Sequence, residues 1–265
     1  MKRIITAMIL ILLGQLIYSQ TISSYLISSA GNNLNGSGYT YDYSAGELSV
    51  SHYQGSSYTI SEGFHSGYLN SKMKELKIKM ILEGLYTGTG MRKVKDSLNY
   101  KYQGDTVDLI TISLRGGIPH PCPIIDSIPG VALLQNDTAY CQIPDYITGN
   151  YYLVVNHRNS IETWSAAPIT FKLDESSFYD FTIDSLQAYG NNLKRVNIDK
   201  YAIYTGDVNQ DGISDTLDIS SISSNAAVFK RKYNNTDLNG DGITDALDLI
   251  LCDNNISLRI HAIKP

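Results

Sequence analysis

The sequence predicts a mainly β protein that ends in a small α-helical segment. Tyrosine is abundant, with 20 residues against 5 Phe and 1 Trp, and aromatic residues of this kind favour half-buried sheet surfaces. Short apolar runs alternate with Gly, Pro and Asn turn signals through the middle of the chain, as is typical of strands. Towards the C-terminus an aspartate-rich motif occurs twice, and each copy is followed by a pattern that indicates a helix start.

Residues 1–19 are predicted to be a secretory signal peptide. Lys2 and Arg3 precede an apolar run from Ile4 to Ile17, and this run is too short and too close to the start to favour a membrane span. We therefore expect a secreted, extracellular protein, with the periplasm and the cell surface as alternatives. No later apolar run is long enough to cross a bilayer, so no membrane span is expected after cleavage.

Residues 20–70 form a segment rich in Tyr, Gly and Ser that we expect to be β structure. Tyr39, Tyr41 and Tyr43 alternate strictly, which would place them on one face of a strand. Two interpretations stay open: an aromatic face that stacks on sugars, or a stripe that packs against a neighbouring layer. Packing is the more common outcome and is the one we favour.

Residues 75–190 are predicted to form a β-sandwich of the immunoglobulin or fibronectin kind, because seven short strand patterns alternate with turn signals. A polar and aromatic cluster lies within it, and we interpret it as local packing of a strand end, with a sugar site as the alternative. Its members are His157, Arg158, Glu162 and Trp164. An oxidising compartment would also permit a disulfide between Cys122 and Cys141, a pairing that sequence leaves open.

The C-terminal repeat carries the chemistry. Residues 207–218 (loop 1) align with residues 237–248 (loop 2) at an offset of 30 residues. The positions that match include each one expected to supply an oxygen to a metal ion. In loop 1 these are Asp207, Asn209, Asp211, the Ile213 carbonyl, Asp215 and Asp218. In loop 2 they are Asp237, Asn239, Asp241, the Ile243 carbonyl, Asp245 and Asp248.

This spacing predicts two calcium ions, one in each loop. Calcium takes about six to eight oxygen ligands, and a twelve-residue loop supplies them from positions 1, 3, 5, 7, 9 and 12. Position 6 has to turn sharply, and it is Gly212 in loop 1 and Gly242 in loop 2. The Asp at position 9 is also placed to cap the helix that follows, with the Asp at position 12 completing a capping box.

A loop followed by a single helix, given twice within residues 201–256, resembles the type I dockerin family. The resemblance implies a small α module that binds two calcium ions and docks onto a cohesin-like partner in an extracellular assembly related to polysaccharides. The alternative is an adhesin or carbohydrate-binding protein in which the calcium repeats are purely structural. Two departures affect partner recognition: position 8 is Ser214 or Thr244, and positions 10 and 11 are Thr-Leu or Ala-Leu.

Composition and motifs argue against two other classes of function. The formal net charge is −5, and no basic cluster indicates binding to nucleic acid. No nucleophile elbow, zinc-protease motif or phosphate loop is present in the sequence, and no pair of carboxylates indicates a glycosidase. We therefore expect a non-catalytic protein without catalytic residues, with a carbohydrate as a second expected ligand. An accessory role beside polysaccharide-degrading enzymes is compatible with that expectation.

Overall fold

The computed structural model describes residues 30–36, 39–45, 49–54, 59–63, 72–117 and 122–265. The chain divides into two compact units, residues 1–71 and residues 72–265. The predicted signal peptide lies outside the described residues. Among the described residues, no helix is long and apolar enough to cross a membrane.

The first unit contains a four-stranded antiparallel meander. Its strands are paired in chain order, each with the next. They are β1 (Ala30–Gly36), β2 (Tyr39–Ala45), β3 (Ser49–Gln54) and β4 (Thr59–Gly63). This is the β structure expected for the Tyr-rich segment, since tyrosine favours strands.

The second unit is built on an eight-stranded sheet. Its members are β5 (Met73–Lys79), β8 (Thr106–Arg115), β9 (Ile124–Leu134), β10 (Thr138–Pro144), β11 (Gly149–His157), β12 (Ser160–Trp164), β13 (Ile169–Phe171) and β14 (Ser177–Asp180). The order is β12-β11-β8-β9-β10-β5-β14, with β13 beside β11. All pairs are antiparallel except β14 with β5. Two small ribbons complete the strands: β6 (Lys95–Asp96) with β7 (Asn99–Tyr100), and β15 (Lys194–Asn197) with β16 (Lys200–Ala202).

The hydrophobic core lies on the inner face of this curled sheet. Every second side chain of a strand lies on this face, because successive side chains point to opposite faces of a sheet. Leu76 and Ile78 of β5, Ile112 and Leu114 of β8, and Leu153 of β11 are fully buried. The mainly β prediction is therefore confirmed, although hydrogen bonds join the strands into one continuous sheet where an immunoglobulin-like sandwich would have two.

Two helices follow the strands: α1 (Thr216–Ala226) and α2 (Ala246–Ser257). Each starts at the predicted N-cap, Asp215 or Asp245, whose side chain accepts a hydrogen bond from the second helical residue, while Asp218 or Asp248 completes a capping box. Aspartate suits this position because its carboxylate satisfies N–H groups that the helix itself leaves free. The predicted capping is confirmed for both helices.

Candidate functional site

Loop 1 is held in shape by its own side chains. The Asp207 carboxylate accepts hydrogen bonds from the N–H groups of Asp211 and Gly212, both at 3.1 Å. Asp211 accepts from the N–H of Ile213 at 3.0 Å. Asp218 accepts from three backbone N–H groups, one of them that of Asp215 at 2.9 Å. These hydrogen bonds hold the loop backbone around the carboxylates that are predicted to be ligands.

Loop 2 repeats most of this geometry, with one difference at its first residue: Asp237 accepts from the N–H of Gly240 at position 4, where Asp207 accepts from Asp211 at position 5. Asp237 accepts from the N–H of Gly242 at 2.9 Å, Asp241 accepts from Ile243 at 3.0 Å, and Asp248 again accepts from three backbone N–H groups. The sixth residue has a positive φ in both loops, 88° at Gly212 and 86° at Gly242, which glycine tolerates best. Two segments 30 residues apart in the sequence have therefore folded into one local structure.

Burial and mutual repulsion raise the pKa of the two buried carboxylates of each loop, Asp207 and Asp218 in loop 1 and Asp237 and Asp248 in loop 2. Burial is the larger cause throughout. It raises the pKa of Asp207 to about 6, with the charges of Asp218 and Asp211 adding to the effect. The same causes raise the pKa of Asp237 to about 7, against the opposing charge of Arg158, and burial raises the pKa of Asp248 to about 6. Such carboxylates lie in surroundings that favour a nearby cation.

The two loop–helix units, together called the C-terminal pair (residues 207–262), contact each other reciprocally: the chain that follows each helix pairs with the loop of the other unit. After α1 the chain forms a β-bridge from Arg231 to Ile243 of loop 2, and after α2 it forms the equivalent bridge from His261 to Ile213 of loop 1. Between α1 and α2, the buried side chains of Val208, Ile222, Leu238 and Cys252 form a small separate core. Each loop is thus closed by the residues that leave the other unit's helix.

The C-terminal pair is anchored to the sheet through the turn between β11 and β12. Arg158 donates hydrogen bonds to the backbone carbonyls of Asn234 and Asp237, the latter at 2.9 Å. Asn159 also donates to the Asp237 carbonyl, at 3.0 Å. The start of loop 2 is therefore fixed by side chains that lie about eighty residues earlier, a distance that local sequence patterns do not reveal.

A buried carboxylate, Asp108 of β8, organises this anchor. It accepts hydrogen bonds from His157 and Arg158, both at 3.0 Å, and from the Tyr233 hydroxyl at 2.7 Å. Burial raises the pKa of Asp108, but the hydrogen bond and charge of His157 and the charge of Arg158 outweigh it and leave the pKa well below its usual range. Sequence reasoning missed Asp108, although a lone charge between Val107 and Leu109 in a strand pattern indicates a buried pair.

His157 also contacts Ser160, which completes a Ser–His–Asp arrangement. The His157 Nδ1 atom lies 2.9 Å from the Ser160 hydroxyl oxygen, and Nε2 donates to Asp108. Ser160 is only 1% exposed and His157 only 4% exposed. A nucleophile has to reach its substrate, so this arrangement is a structural lock. Arg158, a member of the cluster expected from the sequence, therefore pairs with Asp108 and not with Glu162, the carboxylate of that cluster.

The other two members of that predicted cluster pack beside β11. Glu162 accepts from the Trp164 indole at 2.7 Å and from Lys264 at 2.8 Å. Trp164 is buried against Tyr152. The interpretation of local packing is therefore confirmed for Glu162 and Trp164, and no exposed aromatic platform is formed by Trp164.

The three cysteines are free thiols, and all three are buried. Cys122 packs with Trp164, whereas Cys141 belongs to the main core and Cys252 to the core between α1 and α2. The disulfide between Cys122 and Cys141 that the sequence left open is not formed. Burial raises the pKa of Cys141 to about 12 and that of Cys252 to about 11, so both stay protonated.

Calcium fits the donor set of the loops, although the side chains are not gathered around one point. Within the described residues, no group of three or more His, Cys, Asp or Glu side chains is arranged to hold a metal ion. Each loop nevertheless offers only oxygen donors, the choice of a hard cation. Each loop carries four neighbouring carboxylates, two of them with a raised pKa, and the glycine at position 6 has the positive φ that the turn requires.

Comparisons with known proteins return no family model and no curated protein that matches this chain. Two similar solved structures are N-terminal and C-terminal interface mutants of a type II cohesin–X–dockerin complex from Acetivibrio cellulolyticus. They are 14% and 15% identical to this chain, and the matches cover 69% of it and 94% of those chains, with TM-scores of 0.40 and 0.41. Likeness at this level carries no conclusion about function.

The prediction of a type I dockerin module is wrong. The C-terminal segment contains only two short helices, of 11 and 12 residues, which do not make a dockerin pair. The physical reason is its attachment: Arg158 and Asn159 bind it to the sheet, and the whole of residues 72–265 forms one compact unit. The twelve-residue spacing therefore predicts the conformation of the loops, but it does not predict the fold of the segment that contains them. A cohesin-like partner likewise finds no support.

Proposed function

We propose that this chain is an extracellular, non-catalytic binding protein whose two loops take up two calcium ions. The ions hold the C-terminal pair together and keep it on the sheet. One observation carries the proposal: two segments, 30 residues apart, form the same glycine-turned loop around buried carboxylates. Buried carboxylates that are not neutralised destabilise a fold, and a bound cation removes that penalty.

The predicted ligands of each loop differ in their burial. Asp207 and Asp218, or Asp237 and Asp248, are buried and preformed by backbone hydrogen bonds. Asn209, Asp211 and Asp215 of loop 1 lie nearer to solvent, as do Asp241 and Asp245 of loop 2, whereas Asn239 is buried. Calcium, when bound, supplies the positive charge that lets four carboxylates remain ionised at close range.

Export fits this proposal because calcium is plentiful outside the cell, where a site of modest affinity would remain filled. The non-catalytic part is supported by the burial of the Ser160–His157–Asp108 arrangement. Absence of the predicted leader from the secreted protein, shown by N-terminal sequencing, would test the proposed export.

Calorimetric titration of the full mature chain with calcium, after stripping with a chelator, tests the proposal. We expect two ions per chain and a gain in helical circular dichroism. The combined change Asp211→Asn and Asp241→Asn should weaken uptake at both loops, while Asp253→Asn, an exposed aspartate on α2 outside the loops, should leave it unchanged. Equal uptake by wild type and the double variant would refute the calcium sites.

A second candidate function is sugar binding by the outer face of the sheet. Lys77 of β5 pairs with Tyr140 of β10 on one side and with Phe178 of β14 on the other. The rings are 44% and 54% exposed, and the Lys77 ammonium lies between them, 5.8 and 5.6 Å from the ring centroids. Exposed rings on neighbouring strands can stack on sugar faces. Tyr140→Ala should abolish retention on immobilised polysaccharide, and retention equal to that of wild type would exclude this face.

A further inference from the structure

The two loops lie in different surroundings although their internal hydrogen bonds are largely alike. In loop 1, Asn209 and Asp211 are exposed to solvent. In loop 2, Asn239 is buried and Asp241 is partly covered. The cover comes from residues 83–100, which pack against the loop at Gly240 and Gly242. The covering segment is therefore one source of a difference in how the two loops bind a cation.

One cation of the covering segment reaches the predicted ligands of loop 2. The Arg92 Nη1 atom lies 3.3 Å from the Asn239 side-chain oxygen and 3.4 Å from the Asn239 carbonyl, donating to both. It also lies 4.0 Å from a carboxylate oxygen of Asp241. These two residues occupy positions 3 and 5 of the loop, so the guanidinium and a calcium ion would use the same oxygens.

Arg259 and Lys264 border the same cleft as Asp211 and Asp215 of loop 1, but neither forms an ion pair with these carboxylates. The Asn209 amide donates to Asp211 at 2.8 Å within the loop itself. Among the residues that the structure describes, no lysine or arginine forms an ion pair with a carboxylate of loop 1. Positions 3 and 5 therefore contact the Arg92 guanidinium in loop 2, whereas in loop 1 they contact each other through the Asn209 amide.

We propose that Arg92 is a built-in cation that calcium has to displace from loop 2, so that loop 2 binds calcium more weakly than loop 1. The inference rests on the calcium sites proposed above. Arg92 has room to leave, since its side chain is 42% exposed and borders a cleft of about 500 Å³ also lined by Lys95, Tyr100 and Asp241. Without calcium, Arg92 holds loop 2 in its folded shape.

Calcium titration of the full chain with Arg92→Gln tests this inference. Removing a positive charge about 4 Å from a ligand oxygen should tighten the weaker site roughly five- to tenfold. The matched control is Lys93→Gln, which removes the same charge from the next residue, whose ammonium contacts the Tyr100 ring and not loop 2. Arg92→Lys keeps the charge and should tighten the site less.

Substitutions in one loop at a time show which loop is affected by Arg92→Gln. The tightening by Arg92→Gln should persist beside Asp211→Asn in loop 1 and disappear beside Asp241→Asn in loop 2. Equal effects of Arg92→Gln and Lys93→Gln, or weaker binding by Arg92→Gln, would overturn the proposal that Arg92 competes with calcium. Two sites of equal affinity in wild type would do the same while leaving the calcium sites intact. No uptake by any variant would refute the calcium sites themselves.

Discussion

Asp108 shows how much one buried carboxylate can hold. It lies on β8, and its partners are the β11–β12 turn and Tyr233, which precedes loop 2. Arg158 extends the contact to the backbone of loop 2 itself. Because every group in this network is at least partly desolvated, losing one charge leaves the other without compensation.

Asp108→Asn should lower the free energy of unfolding by about 3 kcal/mol, since it leaves the Arg158 guanidinium buried without its carboxylate. Urea denaturation followed by circular dichroism measures the change. Asp105→Asn, an exposed aspartate three residues earlier in the same segment, should change stability by less than about 0.5 kcal/mol. Similar effects of the two changes would show that the buried network contributes little.

His157 should make stability depend on pH. Burial lowers the pKa of His157 below its ordinary 6.5 in the folded chain, although Asp108 acts in the opposite direction. The neutral imidazole therefore contributes stability above about pH 6.5, and this is lost as the pH falls through the lower folded-state pKa. The loop carboxylates with raised pKa take up protons over the same range and stabilise both chains alike. The test is therefore the difference between the chains: from pH 7 to pH 5 in chelator, the urea midpoint of wild type should fall relative to that of His157→Asn. Parallel pH profiles would contradict this role.

At the scale of elements, the sequence predicts what is local. Residues 106–114 and 139–143 are apolar or alternating runs that predict strands, and β8 and β10 lie there; the Asp caps likewise predict both helix starts. The sequence predicts less where a strand contains turn residues. Pro129 and Gly130 are typical of a turn, yet they lie inside β9, whose register shifts against β8 at this point. Pairing across the sheet accommodates these residues at bulges.

The candidate site divides in the same way. Loops 1 and 2 follow from a twelve-residue spacing, so their shape is predictable from sequence. Asp108, Arg92 and Glu83 were not, because each acts on partners far along the chain. Glu83, for example, binds Lys194, Thr205 and Asn255 and so ties α2 to the sheet side of the unit.

Gly242→Ala should destabilise the chain more than Gly212→Ala. Both glycines have a positive φ, which should cost an alanine about 1 kcal/mol in either loop. A methyl group at Gly242 would also collide with the Ser97 carbonyl, whereas at Gly212 the nearest atom is 3.6 Å away, on Ala262. We expect an additional 1–3 kcal/mol or so for Gly242, measured by thermal unfolding in chelator. Equal losses would show that loop 2 does not rest on Ser97.

At the scale of the whole molecule, residues 72–265 behave as one compact unit, with the C-terminal pair attached through Arg158, Asn159 and Glu83. Attachment by buried hydrogen bonds couples the unfolding of the two parts. The helices and the sheet should therefore gain and lose stability together, whether the change comes from calcium or from a substitution.

Calcium removal should lower the unfolding midpoint of the whole unit. Trp164, the single tryptophan of the chain, is buried beside the sheet, so its fluorescence reports the sheet while helical circular dichroism reports α1 and α2. In urea both signals should change at the same midpoint, and chelator should shift both downward. Loss of the helical signal well before the tryptophan signal would show that the C-terminal pair unfolds on its own.

Because of the crossed bridges, His261 to Ile213 and Arg231 to Ile243, loop 1 depends on the chain that follows α2, and loop 2 depends on the chain that follows α1. A cut after Ser257 would spare every residue of both loops, yet it would remove the strand partner of the earlier one. Trimming by a protease would thus loosen a turn nearly fifty residues upstream and leave the nearer turn fastened.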